Sequence, residues 1–547
     1  MKLVWLAVNS SFSHASLALP LLHAATRERT RATWQAVQAT TKDDVGAVTS
    51  EVARHSPDVL AASLYLFNRR FVLDVAGRIK ALFPAVRVIL GGPECLGDNE
   101  PLLRREPAVD SVLRGEGEIA FTDWLTAVET GTDTQAVPGL CWLDGHSRCR
   151  DNGTARPVAN LDTLPAAMDS AFFDWTRPFV QIETSRGCSN KCTFCTSADS
   201  APVRLLPLPR VAEQLREVRR RGVREVRILD RTFNANPKRC VALLRLFRDE
   251  FPDLRFHLEI HPHLLTAAGR TELAAAPPGH LHIEAGLQTL CRPALRSIRR
   301  QTDTRRSKDG VQFLCQAPNL AVHVDLLAGL PGQALADVLA DVDWLTAAGP
   351  QEIQLEVVKI LPGTALRTHA AELGLAFAPS PPYDVLQTPH LSTDDLAFVS
   401  DLSRVVDGFY NHAALQPATR LAAQTPRFYA DLVESLRRAG TLATTLSLER
   451  RFRLFHDFAA PRNLPVRERL EYDWLRVGLS PTHGLAKAQP WKTALPREAL
   501  LVDGDAQSAT RRDSRVWRLS QSSRVCWFVF DRHSTTQHQA AAIFALQ

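Results

Sequence analysis

Two blocks of alternating strand-like and helix-like stretches constrain this 547-residue chain more than any other feature. In the first block, residues 2–8 (KLVWLAV), 33–40, 58–67, 86–92 and 110–118 read as strands, separated by helical patterns such as FVLDVAGRIKALF. In the second, strand-like runs at 179–184, 224–230, 255–260, 281–288, 321–330 and 352–360 alternate with amphipathic stretches such as RVAEQLREVRRRG. Strands that alternate with helices pair in parallel, because each helix returns the chain to the same end of the sheet. The first block therefore reads as an α/β, Rossmann-like doubly wound sheet of five strands. The second, with six units, reads as a partial (β/α)6 barrel. Both architectures place ligands at the C-terminal ends of their strands.

A chain this long exceeds what one core supports. Residues 1–125 form the first expected domain and 176–365 the barrel. Between them, 126–175 is a Gly-, Pro- and Asp-rich linker with a small hairpin around GLCWLDG. Residues 366–547 read as a mostly helical C-terminal domain, with 523–531 (SRVCWFVFD) as a lone strand. The formal charge of +6 is mild, and the arginine run at 215–227 reads as a solvated helix face, so no nucleic acid is expected. No apolar stretch approaches membrane-spanning length. The opening MKLVWLAVNSSFSH reads as a buried first strand rather than a signal peptide. Ten cysteines without secretion signals suggest a reducing, cytoplasmic setting.

Three of those cysteines stand apart. In SRGCSNKCTFCTSA, Cys188, Cys192 and Cys195 follow the first barrel strand. A structural zinc site wants four ligands, commonly as two separated pairs, and the next cysteine along is Cys240. A disulfide leaves one thiol over. A four-iron cluster fits a loop that reaches three irons and leaves the fourth open. Gly187 lets the backbone pass close to such a cluster.

CxxxCxxC with Phe194 just before the last cysteine resembles the signature of the radical SAM superfamily. That resemblance implies a 4Fe-4S cluster held by the three cysteines, with S-adenosylmethionine (SAM) chelated on the open iron and cleaved to a 5′-deoxyadenosyl radical. The texture GLQT…RRQ…HVDLLAGLPGQ is similar to the barrel of the oxygen-independent coproporphyrinogen oxidase branch. Carried over by motif, Glu259, Gln288, Arg300 and Asp325 would contact the ribose, the adenine side and the methionine part of SAM. Asp230, in LDRTFN, is the candidate for the methionine ammonium. The glycine-rich phrase usual near that strand is absent.

In the first block GGPE (Gly91, Gly92, Pro93, Glu94) and GEGE (Gly115, Glu116, Gly117, Glu118) lie at C-terminal strand ends. Glycine there admits a ligand close to backbone, or simply makes a tight turn. A Rossmann-like sheet bearing both, placed just before such a barrel, resembles the cobalamin-binding domain of cobalamin-dependent radical SAM enzymes. NSSFSHASLAL, YLFN, LDRTFNAN, LPGT and PPYDVL further resemble one bacterial family of that class, which ends in a helical domain of unassigned function. The Asp-x-His-x-x-Gly motif of many cobalamin proteins is absent, since His14 has Phe12 before it and Leu17 after it. No cobalt ligand is expected from His14. Either the lower face is open, or the YLFNRR loop after the third strand approaches it, with Tyr65, Asn68 and Arg69 as the candidates.

The resemblance implies three cofactors: a 4Fe-4S cluster, SAM and cobalamin. It implies a methyltransferase acting on an unactivated carbon of a small-molecule or peptide substrate, supplied by an electron donor such as flavodoxin or ferredoxin. Radical rearrangement, ring contraction or cyclisation without methyl transfer is the enzymatic alternative. A catalytically inactive cobalamin sensor is the alternative of another class, against which the intact cysteine trio argues.

Overall fold

The structure is a computed structural model and describes residues 1–12, 15–198, 202–496, 498–504, 515–522, 524–530 and 539–546. The chain divides into two compact units, one of 1–322, 327–334 and 357–393, the other of 323–326, 335–356 and 394–547.

The first unit opens with a seven-stranded sheet in the order β2-β1-β3-β4-β5-β6-β7. Its strands are β1 (Lys2–Asn9), β2 (Thr33–Thr40), β3 (Val59–Ser63), β4 (Arg87–Gly91), β5 (Ser111–Leu113), β6 (Leu140–Leu143) and β7 (Cys149–Asp151). The first five pair in parallel. Helices α1 (Ala18–Thr26), α2 (Val45–Arg54), α3 (Arg69–Leu82), α4 (Glu100–Arg105) and α5 (Gly117–Thr130) connect them. One face packs Val4, Leu6 and Val8 against Val52, Val75 and Ile79 of α2 and α3. The other packs Leu3 and Trp5 against Phe121, Trp124 and Leu125 of α5. Burial on both faces is why β1 reads as an unbroken apolar run. The expected sheet had five strands. The hairpin of β6 and β7, assigned above to a linker, extends it by pairing antiparallel to β5. It thereby covers an edge whose backbone groups would otherwise lack partners.

The barrel strands are β8 (Val180–Ile182), β11 (Glu225–Ile228), β12 (Arg255–Ile260), β13 (Leu281–Gln288), β14 (Leu320–Ala328) and β15 (Glu352–Val357), in the sheet order β15-β14-β13-β12-β11-β8. The pairs β8/β11, β11/β12 and β12/β13 are parallel. A two-stranded insert, β9 (Ser185–Arg186) with β10 (Arg204–Leu205), follows β8. Helices α6 (Leu208–Arg220), α7 (Pro237–Glu250), α8 (Ala267–Ala274), α9 (Arg292–Ser297), α10 (Thr304–Gln316) and α11 (Leu335–Ala348) make the crossovers. Burial along β13 alternates strictly, with Leu281, Ile283, Ala285 and Leu287 buried. The intervening residues, His282, Glu284, Gly286 and Gln288, share the opposite face of the strand.

The second unit holds helices spanning Thr393–Val405, Gln416–Ala422, Phe428–Arg438, Leu448–Ala459 and Arg467–Arg476. Phe409, Phe428, Phe455 and Phe458 form its aromatic core. The expected lone strand is instead one member of a five-stranded sheet. Val525–Phe530 pairs antiparallel with Arg515–Ser520 on one side and Ala542–Leu546 on the other. Buried Trp527 and Phe528 are sheet core, and Phe528 meets Tyr472 of the last helix edge-on at 5.3 Å. The partner strands are short and separated by long polar stretches, so only tertiary pairing reveals them.

Candidate active site

The cysteine loop is held at both ends. After β8, β9 pairs with β10 in the register Ser185↔Leu205 and Arg186↔Arg204, closing the loop that carries the cysteines. Gly187 has φ +97°, a conformation that a side chain would strain. Asp230, just past β11, accepts from the Thr184 and Ser185 amides at 2.7 and 2.8 Å and from the Thr184 hydroxyl. Both of its oxygens are engaged. These bonds clamp the start of the cysteine loop to the end of β11. Burial holds its pKa above the usual carboxylate range, against the opposing pull of those bonds.

Each cysteine sulfur has a nitrogen donor. The Asn190 amide lies 3.4 Å from Cys188 Sγ, the Ser197 amide 3.4 Å from Cys195 Sγ, and Arg300 Nη1 3.5 Å from Cys192 Sγ. Such donors stabilise thiolate charge and tune a cluster bound to it. Among the described residues no three Cys, His, Asp or Glu side chains converge on one point as a single ion requires. A cube does not ask for that, because each thiolate takes a different iron. The trio fits a four-iron cluster.

Gln288 and Arg300 come together beside Cys192. Gln288 ends β13 at φ +70°, unusual for a residue with a side chain. A Cβ on Gly286 would lie 3.0 Å from Gln288 Nε2 and 3.6 Å from Arg300 Nη2. Arg300 also donates to the Gly286 carbonyl, and its buried Nε has no partner. An unsatisfied guanidinium N–H beside a cluster cysteine suits an anionic ligand. Glu259 lies in β12, opposite Glu284 of β13. Asp325 lies in β14, in the second unit, 3.2 Å from His323. Phe194 is half-buried in the loop. Sequence reasoning missed a cluster on the same strands: His257 Nδ1 lies 3.3 Å from His282 Nδ1, and His257 Nε2 lies 2.9 Å from Glu284. Its signal is the alternation His-x-Glu in both FHLEI and LHIEA.

The first sheet carries a cavity of about 330 Å³ at the C-terminal ends of β3, β4 and β5. Trp5, Leu21, Leu22 and Phe121 make an apolar wall. Gly91, Gly92, Gly115, Glu116, Gly117 and Glu118 line it as well. Pro93 and Glu94 do not: Glu94 turns into the protein, where it meets Arg69 at 3.1 Å and the Tyr383 hydroxyl at 2.6 Å. Of the three candidates for the lower face, Tyr65 reaches the cavity. Arg69 is committed to Glu94, and Asn68 donates to the Val8 and Ser63 carbonyls. His14 lies outside the described residues.

The glycines divide by duty. A Cβ on Gly92, at φ +97°, would meet the Leu64 carbonyl at 2.7 Å, and one on Gly115 would meet Ala155 backbone at 3.0 Å. Both are required by backbone packing. Gly91 is different, for its nearest neighbour is the Leu113 carbonyl at 3.5 Å. Gly91→Val is therefore expected to fold and to weaken corrinoid retention by about tenfold or more, since its methyls enter the cavity. Equilibrium dialysis against hydroxocobalamin measures this, and unchanged retention would remove Gly91 from the site.

Cavity and cysteine loop meet at one side chain. Arg186, two residues before Cys188, pairs with Glu118 at 2.6 Å and Glu183 at 2.8 Å, with Glu116 at 3.7 Å. Arg204 adds a second cation on Glu116. Glu116, Glu118, Glu183 and Arg186 all line the cavity.

Residues 5–125 match the family described as B12 binding domain, and residues 182–345 match the radical SAM superfamily. The chain joins a B12-binding domain to a radical SAM domain. Residues 371–485 match a protein family of unknown function, DUF4080. The chain is 25% identical over 337 residues to the uncharacterized methyltransferase PH0819 of Pyrococcus horikoshii, covering 58% of this chain and 70% of that one. It is 26% identical over 329 residues to the cobalamin-dependent radical SAM methyltransferase TokK of Streptomyces tokunonensis, covering 57% of this chain and 48% of TokK. Its fold is similar to that of the radical SAM methyltransferase TsrM from Kitasatospora setae, solved with cobalamin and a 4Fe-4S cluster bound. That match has a TM-score of 0.56 at 20% identity and covers 71% of this chain and 78% of TsrM. The matched domains are those of cobalamin, the 4Fe-4S cluster and SAM, and they make the protein an enzyme. Among the described residues no helix is long and apolar enough to cross a membrane.

Proposed function

We propose that the protein methylates an unactivated carbon of a small molecule or peptide. The observation that carries this reading is the Arg186 cluster, which joins the wall of the corrinoid cavity to the loop of Cys188, Cys192 and Cys195. One cofactor supplies a carbon-centred radical from SAM and the other a transferable methyl group, and such chemistry needs both at one mouth. The cavity suits the nucleotide tail of a corrinoid, because its apolar wall takes an aromatic base and its volume is well below that of the whole macrocycle.

In this reading the chain's own residues bind and orient. Cys188, Cys192 and Cys195 hold the cluster. Arg300 and Gln288, beside Cys192, hold the carboxylate side and the adenine side of SAM, with Glu259 accepting from its hydroxyl groups. Gly91, Gly117 and Tyr65 admit the corrinoid. The test is an anaerobic assay with cell extract as the substrate source. The expected products are 5′-deoxyadenosine and S-adenosylhomocysteine in equal amounts, with one added methyl per turnover. If 5′-deoxyadenosine forms alone and no methyl is added, radical rearrangement replaces methylation.

A further inference from the structure

A histidine at the mouth of the barrel is buried with its ring unpartnered. Phe256, Leu258 and Ile260 of β12 are buried on the helix side, where Phe256 stacks on Phe247 of α7 at 3.9 Å. His257 and Glu259 alternate with them on the opposite face. His261 follows with extended backbone, φ −102° and ψ 110°, and continues that alternation. Ile260 stands opposite Ala285 of β13, so the next step along both strands sets His261 beside Gly286. His261 is 3% exposed, and neither ring nitrogen has a hydrogen-bond partner among the described residues.

The backbone around this ring is firmly fixed. Buried Asn234 accepts from the His261 amide and donates to the His261 carbonyl, each at 2.9 Å. His263 Nδ1 accepts from the Asp303 amide at 3.0 Å, which fastens the segment after Arg300 to the same turn. A fixed, buried imidazole whose polar atoms go unused costs stability and calls for a reason. Arg300 Nε is a second unused polar atom at this place. The other guanidinium nitrogens are engaged, Nη1 with Cys192 Sγ at 3.5 Å and Nη2 with the Gly286 carbonyl. Burial, and then the charges of Arg300 and His263, push the His261 imidazole down to about 2. The ring is therefore neutral and carries a lone pair able to accept an N–H. The two orphans are complementary, one a donor and one an acceptor.

We propose that His261 is a positioning residue for Arg300, accepting its Nε–H once the guanidinium leaves the Gly286 carbonyl to hold the SAM carboxylate. The inference rests on the reading above that assigns Arg300 to SAM. Only hydrogen bonds are exchanged, and no proton is transferred. An arginine fastened at Nε presents its two Nη donors as a fork, the arrangement that grips a carboxylate. The unpaired groups burden the free protein, and pairing them on binding adds to SAM affinity rather than to the stability of the fold.

The test is a double-mutant cycle on the anaerobically reconstituted full-length protein, with SAM affinity measured by equilibrium dialysis. Arg300→Met is expected to weaken SAM binding, and His261→Phe to weaken it about tenfold. His261→Gln recovers part of the loss, since its amide oxygen can accept. In the R300M background, H261F has no further effect, because the group it serves is gone. Iron content stays at the wild-type level. H261F removes two unpaired buried nitrogens, so its apoprotein melts no lower than wild type, whereas a merely structural histidine would show its loss in melting and not in SAM affinity. His261→Leu gives the same loss of affinity with a smaller side chain, should phenylalanine not fit. Wild-type SAM affinity in H261F and H261L, with R300M weakened, overturns the proposal and leaves the assignment of Arg300 standing. Fully additive losses in the double variant also overturn it, since His261 then acts without Arg300. Wild-type affinity in R300M overturns the proposal and the assignment together.

Discussion

A protein with Cys188, Cys192 and Cys195 all replaced by Ala is expected to lose its cluster iron completely and with it the broad visible absorbance near about 400 nm. The effect is total rather than graded, because no other described cysteine is close enough in the chain to stand in: the flanking ones are Cys149 and Cys240. The fold survives the change. The loop is fastened by the β9/β10 pairing and by the Asp230 clamp, neither of which uses a sulfur. Thermal melting of the apo forms separates the two effects, with wild-type and variant apoprotein melting within a few degrees of each other. Affinity for SAM falls as well, since the open iron is gone. A triple variant that still carries about four irons per chain after anaerobic reconstitution would sink the assignment.

The second large effect is expected at Arg186. Its guanidinium lies between Glu118 and Glu183, and burial leaves its side chain 11% and that of Glu118 7% exposed. Arg186→Met keeps the bulk and removes the charge, stranding carboxylates in a dry wall. Breaking a buried pair from one side costs about 3–5 kcal/mol. The loss should lower the melting temperature by several degrees. Arg186→Lys should recover only part of it, since an ammonium lacks the fork that spans two carboxylates.

The pH dependence of this variant has a definite sign. Burial already raises the Glu183 pKa, opposed by Arg186, and removing Arg186 raises it further. A carboxyl with a raised pKa binds more protons folded than unfolded, so its contribution to stability is lost as pH rises. The gap between wild type and R186M should therefore narrow as pH falls toward the carboxylate range. A constant gap across that range would mean the carboxylates are solvated and the cluster matters little. The same variant should hold less iron and less corrinoid, because Arg186 joins the wall of one site to the loop of the other.

The motif residues beyond the sites show how sequence texture can report packing. LPGT and PPYDVL, noticed only as family phrases, fold back onto the GGPE turn. A Cβ on Gly363 would lie 2.7 Å from Leu96 backbone, and Tyr383 donates to Glu94. The Tyr383 hydroxyl is pushed up to about 12, by burial and by that carboxylate. Glu94 thus takes part in this fastening, which nothing in the four letters GGPE announces.

What the sequence determined alone is local or periodic. Strand and helix alternation specified parallel sheets, because a crossover helix leaves the chain no other way to pair. The spacing of Cys188, Cys192 and Cys195 specified a three-thiolate loop, because loop length sets which sulfurs can reach one cube. What only the tertiary structure decided is convergence between distant segments. Arg186 meets Glu118, 68 positions earlier in the chain, and Arg300 meets Cys192, 108 positions earlier. The antiparallel sheet of the last sixty residues was likewise invisible, since its short strands become strands only by pairing with one another. Which glycine has room for a side chain and which is pressed against a neighbouring carbonyl, Gly91 or Gly92, is settled by a φ angle and a distance, and neither is written in residue order.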